Sequence, residues 1–427
     1  MKNIKRKFKI ICSCFITLCI IVVPLRYLTD VMELKDSDFK YLPFFEQSED
    51  FDVLFMGTSH VLNGIYPMEL WNDYGIVSYN MGGHANQLAT TYWVLENALE
   101  HTTPRLVAID CMQLEADVKS AALFSYGHYS FDAFPLNKTK LSAIRDLTDD
   151  SRREEILGEE MDEGTGMDLL WNYSIYHMRW NELTESDFAV LRTKEKGAEF
   201  RVGVTVSDEM IKIPADKKLE GETISTEYLR KMIEDCQSRG IEVLLLYVPF
   251  PAGERSQMSA NRVYDIADEY GVNYVNFLDM NLVDYNTDYY DDSHLNPSGA
   301  RKVTEYLGKY IMEHYDIPDQ RTNPVYSDWH EDYREYSEYK VDVLKEQESL
   351  DLYLMLLADK NFDVTLDIDN PKIWEDEYYA RLLSNIGIDQ EHYGTMDEMG
   401  DTIDSEIHIT VRDKLTKEIL DQADFSF

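Results

Sequence analysis

The sequence predicts an α/β protein built on a parallel sheet with helices on both faces. Three observations point there. Short runs that are apolar throughout alternate with longer segments of helical periodicity. Continuous apolarity marks strands buried on both faces, as in parallel sheets. Glycine or proline punctuates the ends of most of these runs.

The elements follow in order. FDVLFM (51–56) is the first strand and stops at Gly57. IVSYNM (76–81) is the second and runs into Gly82-Gly83. Residues 85–101 place Leu88, Tyr92, Leu95 and Leu99 on one helical face. RLVAIDCM (105–112), entered after Pro104, is the third strand. Residues 113–222 break the alternation and read as a polar, helical insertion with scattered aromatics. Residues 227–240 form a helix closed by Gly240, and IEVLLLYVPF (241–250) a strand ended by Pro249 and Pro251. Residues 260–271 repeat the helix with a glycine stop, and VNYVNFLDM (272–280) is the last strand of the series. The helix 296–315 has Asn296 to cap it and Pro297 at its first position. These elements delimit an α/β domain over 48–316.

A smaller α+β accessory domain is expected over 325–427. SLDLYLMLLADK and DEYYARLLSNIGI read as helices, FDVTLDI and EIHITVRDKL as strands. At the other end, a basic cluster precedes an apolar run from Ile10 to Leu25. With its flanks this gives a transmembrane anchor over 8–28, long enough for a bilayer. Small residues of a cleavage site do not follow it; a cleaved signal is the alternative. The basic flank stays in the cytoplasm, so the rest of the chain is expected outside the cell membrane.

The formal net charge is −39, and the first thirty residues carry +5 of it, leaving −44 for the remainder. Such a surface repels phosphates, which argues against nucleic acid as a partner. Cys12, Cys14 and Cys19 fall within the apolar segment. Cys111 and Cys236 lie in or beside apolar stretches and are expected to be buried thiols rather than parts of a disulfide framework. No Cys/His cluster has zinc-ligand spacing, and no metal or cofactor is expected.

The chemistry centres on MGTSH (56–60). Open parallel sheets bind ligands outside the carboxyl ends of their strands, and Ser59 lies just past the end of the first one. A serine hydroxyl needs a base within hydrogen-bond reach, and the base needs an orienting acid. DYYDDSHLNPSG (288–299) supplies both, on the connection between the last strand and the last helix. His294 is the base, Asp291 holds its ring, and Asp292 is the alternative orienter. His60 and His84 are candidate substrate contacts, although each also reads as an ordinary loop histidine. His177, with Arg179 and Trp180 beside it, is a candidate grip for an acidic sugar or a lipid headgroup; packing is the competing role.

A GTS serine after the first strand, a glycine block (NMGGH) after the second and DxxH before the last helix resemble the SGNH/GDSL hydrolase superfamily over roughly residues 50–315. The anchor, the early GTSH and the late DxxHLNPSG are similar to its extracytoplasmic DltD-like branch, which includes D-alanyl transfer proteins of teichoic acid synthesis and relatives in polysaccharide O-acetylation. The resemblance implies a flavodoxin-like three-layer fold and a Ser59–His294–Asp291 triad. It implies an oxyanion hole from the backbone of Ser59 and of Gly83 or Gly82. The family's third block has an asparagine where this chain reads AIDCMQL, and Gln113 is the candidate donor in its place. The implied activity is an esterase or O-acyltransferase acting on a cell-surface glycan or an acyl donor. A membrane-bound O-acyltransferase is the implied partner. A non-catalytic, glycan-binding assembly protein is the alternative function.

Overall fold

A computed structural model describes residues 2–32, 40–121, 123–150, 164–188, 194–368, 371–388 and 406–426. The central sheet has five strands: β1 (Val53–Gly57), β2 (Ser78–Gly82), β3 (Leu106–Asp110), β4 (Glu242–Tyr247) and β5 (Asn273–Asn276). Every pairing is parallel, and the order is β2-β1-β3-β4-β5. This is a doubly wound order, with its switch point between β1 and β3. All residues of β1, β2 and β3 are buried, which is why their sequences lack alternation.

Helices pack in two groups. Leu88–Leu99 lies against Ile224–Ser238, while Pro297–His314 packs on Ser59–Gly64 and Pro67–Tyr74. Asn296 caps Pro297–His314 by accepting from the backbone of Ser298 and Gly299. Gly271 ends the helix Glu254–Tyr270 in the left-handed region, as its glycine signal predicts. Ser59–Gly64 and Pro67–Tyr74 were not anticipated from the sequence; each is short and has no long periodic stripe.

The insertion is helical only in part. Helices occupy Leu123–Phe131, Lys138–Thr148, Gly166–Leu170 and Tyr173–Tyr176, but 198–214 contain neither helix nor strand. That extended stretch is held by the body: the Glu199 N–H donates to Leu62 O (2.9 Å) and the Thr205 N–H to Tyr289 O (2.9 Å). The run Val202-Gly203-Val204-Thr205-Val206, β-branched apart from Gly203, suits such an extended path.

Beyond it, β6 (Phe362–Ile368), β7 (Glu406–Asp413) and β8 (Ile419–Ser426) form an antiparallel sheet in that order. Leu344, Leu354, Leu366, Leu382, Ile407 and Val411 belong to its core. The helix Asp328–Lys345 joins the two cores, with Trp329 and Tyr336 in the first and Val343 and Leu344 in the second. At this junction the buried Lys340 ammonium meets Glu69 (2.8 Å) and Asp359 (2.7 Å), and Arg301 lies 3.4 Å from Asp359. Cys111 and Cys236 are buried free thiols.

One N-terminal helix, Lys2–Met32, is long and apolar enough over Lys5–Thr29 to cross a membrane. Its most apolar window is not buried, whereas Thr29 at the end of the stretch is buried against the folded body.

Candidate active site

The position of Ser59 follows from the way β1 ends. Gly57 lets the strand pass close to β3: a Cβ there would sit 2.8 Å from Asp110 Cβ and 2.7 Å from Val61 Cγ2. Thr58 then turns extended and caps the next helix, its hydroxyl accepting from the His60 N–H at 3.2 Å. Ser59 becomes the first residue of that helix, at the carboxyl end of the sheet beside the switch point. Asn80 of β2 fixes the helix from below. Its side-chain amide donates to Val61 O (2.7 Å) and Ile65 O (2.8 Å).

His294 reaches the same place from a tight loop. The Tyr290 N–H donates to His294 O (2.7 Å) and the Asn296 N–H to Asp288 O (3.0 Å), closing the loop on itself. The buried Asp288 accepts from Ser298 Oγ (2.8 Å) and Lys302 Nζ (2.6 Å), which pins the loop to the helix Pro297–His314. On its outer side Thr205 Oγ1 donates to Tyr290 O at 2.9 Å, so the extended part of the insertion straps the loop down.

Ser59, His294 and Asp291 are brought together in one hydrogen-bonded chain. Ser59 Oγ lies 2.8 Å from His294 Nε2. His294 Nδ1 lies 2.9 Å from Asp291 Oδ2 and 3.0 Å from Oδ1. Asp291 Oδ1 also accepts from the backbone N–H of His294 (2.8 Å) and of Ser293 (2.9 Å). Partial burial works against the Asp291 charge, but these donors outweigh it and hold its pKa below the usual carboxylate value. Asp292, the alternative orienter, is exposed, and both ring contacts of His294 Nδ1 with a carboxylate go to Asp291. The arrangement is open: the His294 side chain is 25% exposed.

His60 has a different place from the one expected. It is buried, its ring 4.9 Å from that of His294 and 5.0 Å from that of Phe250. Burial, then repulsion from His294, lowers its pKa to about 3, so it is neutral. A side chain this enclosed backs the His294 ring rather than presenting itself to a substrate. Its Nδ1 has no hydrogen-bond partner. His84 is half-buried after β2, against the rings of Tyr126 and Tyr129. His177 opens the short helix His177–Asn181, on a segment packed against the N-terminal helix. These three histidines do not form one cluster.

The glycine block also differs from expectation. The Gly83 N–H donates to Gly57 O (3.0 Å) and the Gly82 N–H to Asn80 Oδ1 (3.0 Å), so both are engaged inside the fold. Gly82 is there because the neighbouring helix approaches so closely. Gln113 follows β3 with φ +68°, a conformation rare outside glycine. Its neighbour Met112 touches the Ser59 turn, Sδ lying 3.6 Å from Thr58 Oγ1.

Asp110, which no motif marked, lies beneath the same turn. It ends β3, is fully buried, and accepts from the Val248 N–H at 3.2 Å through one oxygen. Its position at a strand's carboxyl end was the available signal. Among the described residues no group of His, Cys, Asp and Glu is arranged to hold a metal ion. No family model and no curated protein matches the chain.

Proposed function

We propose that this chain is a membrane-anchored, extracytoplasmic serine esterase or O-acyltransferase of the SGNH/GDSL type. Its substrates are acyl esters of cell-surface glycans. The observation that carries the reading is the hydrogen-bonded chain from Ser59 through His294 to Asp291. Its place beside the switch point of a doubly wound sheet supports it further.

In the proposed reaction Ser59 Oγ attacks the acyl carbonyl and passes its proton to His294 Nε2. Asp291 keeps the other ring proton on Nδ1 and stabilises the imidazolium. The tetrahedral intermediate expels its alcohol, which takes the proton from His294, and leaves an acyl-Ser59 ester. Water or a sugar hydroxyl then gives its proton to His294 and takes the acyl group, restoring Ser59. The Ser59 N–H, in a first helical turn where no intrahelical acceptor exists, serves the oxyanion together with the Gln113 amide. Gly83 joins them only by releasing Gly57 O. The basic residues Lys2, Lys5, Arg6, Lys7 and Lys9 before the apolar helix support an extracytoplasmic body.

The test is fluorophosphonate labelling of the detergent-solubilised full chain, read by intact mass. One adduct is expected, absent in Ser59→Ala and slowed by at least roughly a hundredfold in His294→Ala. A folded wild-type chain that takes no adduct would remove the enzyme reading and leave glycan binding.

A further inference from the structure

The segment 164–188 gathers several exposed large apolar side chains. Trp180 is 66% exposed and Phe188 61%, and Met167, Trp171, Ile175 and Met178 are exposed beside them. Exposed large apolar side chains gathered on one segment mark a surface that meets an apolar partner.

Its location identifies the partner. Trp171 Nε1 lies 3.4 Å from Thr29 Oγ1, and the Arg179 guanidinium donates to Met32 O. Tyr173–Tyr176, His177–Asn181 and Glu185–Phe188 all pack on the N-terminal helix. Thr29 is the last residue of the apolar stretch Lys5–Thr29. Where a spanning helix leaves the hydrocarbon, its neighbours lie at headgroup depth, and tryptophan is enriched at that depth. We propose that residues 164–188 are a membrane seat: the rings of Trp171, Trp180 and Phe188, with Met167, Ile175 and Met178, enter the interfacial layer of the bilayer that the N-terminal helix crosses. This rests on the anchor reading above.

The charges say which force holds the seat. The segment carries Asp168, Glu182, Glu185 and Asp187 against Arg179, and Arg179 is tied to Asp187 at 2.9 Å. An acidic segment gains nothing from anionic lipid, so the seat works by apolar and aromatic burial. It holds on zwitterionic lipid and does not weaken in high salt.

The experiment uses the full chain in phosphatidylcholine vesicles containing lipid brominated high on its acyl chains. Tryptophan fluorescence is read, and flotation after alkaline extraction reports anchor insertion separately. The seat predicts strong quenching that persists in high salt, at least half of it lost in Trp171→Phe/Trp180→Phe. Met178→Glu/Phe188→Glu, with all tryptophans in place, is expected to lower the quenching as well, at unchanged circular dichroism. A chain that floats yet shows quenching indifferent to both variants overturns the seat and leaves this face for a protein. A chain released from the vesicles by alkali overturns the anchor and the seat together.

Discussion

Asp110 lies under the turn that presents Ser59, and its surroundings make its charge costly. Burial raises its pKa from the usual 3.8 to about 7, outweighing the N–H groups of Val248 and Met112 and the Thr58 hydroxyl. Its Oδ2 has no hydrogen-bond partner, which leaves a place for the proton. Between pH 4 and 7 the folded chain therefore keeps a proton that the unfolded chain has released, so this group's contribution to stability falls as pH rises and is fully unfavourable above about 7. Asp110→Asn removes that slope. Relative to wild type the variant is expected to gain stability between pH 4 and 8, approaching about 4 kcal/mol at the full shift. Urea unfolding at the two pH values tests this, and an equal difference at both would refute it. Residues of this kind are illegible in a sequence, because burial is a property of the neighbours. Ser59, Asp291 and His294 were legible as a set for the opposite reason: each stands at a punctuated strand end or turn, where sequence position already implies location. His60, one residue further on, shares that position but faces inward, and no local signal separates the two.

The glycine after β2 shows what the elements demand of each other. A Cβ on Gly82 would meet Leu62 N at 2.6 Å and Thr58 O at 2.7 Å, both backbone atoms of the Ser59 turn and helix. Neither can yield without moving Ser59. Gly82→Ala is expected to destabilise the fold by about 1–3 kcal/mol and to slow labelling of Ser59 beyond what the lost stability explains. An alanine variant that melts and labels like wild type would show that the helix can shift freely. The glycine block was visible in the sequence as a source of oxyanion donors; what the sequence did not reveal is that Gly82 also lets β2 approach the Ser59 helix closely. The five sheet strands were legible because burial on both faces leaves an apolar run with sharp ends. β8 was not, since its two faces are half-exposed and its residues mostly polar. The insertion was misread in its second part because extended chain held by other elements has no periodicity of its own.

At the scale of the whole molecule, the two cores share one buried set of charges. Lys340 lies between Glu69 of the sheet unit and Asp359 of the C-terminal unit, with Arg301 beside them. Burial disfavours the Asp359 charge, but Lys340 and Arg301 outweigh it and hold its pKa well below the ordinary carboxylate value. Lys340→Met leaves two buried carboxylates with a single cation, and a loss of about 3–5 kcal/mol is expected. The loss should appear in the unfolding of both units, read through Trp329 in one and Trp374 in the other. A change confined to the C-terminal unit would mean that the junction carries no shared stability. The junction was beyond sequence reading, because Glu69 and Lys340 are 271 positions apart. Finally, the chain itself limits where this molecule works. Lys40 and Tyr41 bond to Gly82 and Met81 at the carboxyl end of β2, next to the Ser59 turn. Only residues 33–39 separate them from the end of the apolar helix, so that end of the sheet stays within ~28 Å of it however the chain extends. With the helix in a bilayer, Ser59 is confined to a thin shell over the lipid. Under the proposed function, acceptors would come to Ser59 by lateral diffusion or by growing outward past it, and polymer farther out would be beyond its radius.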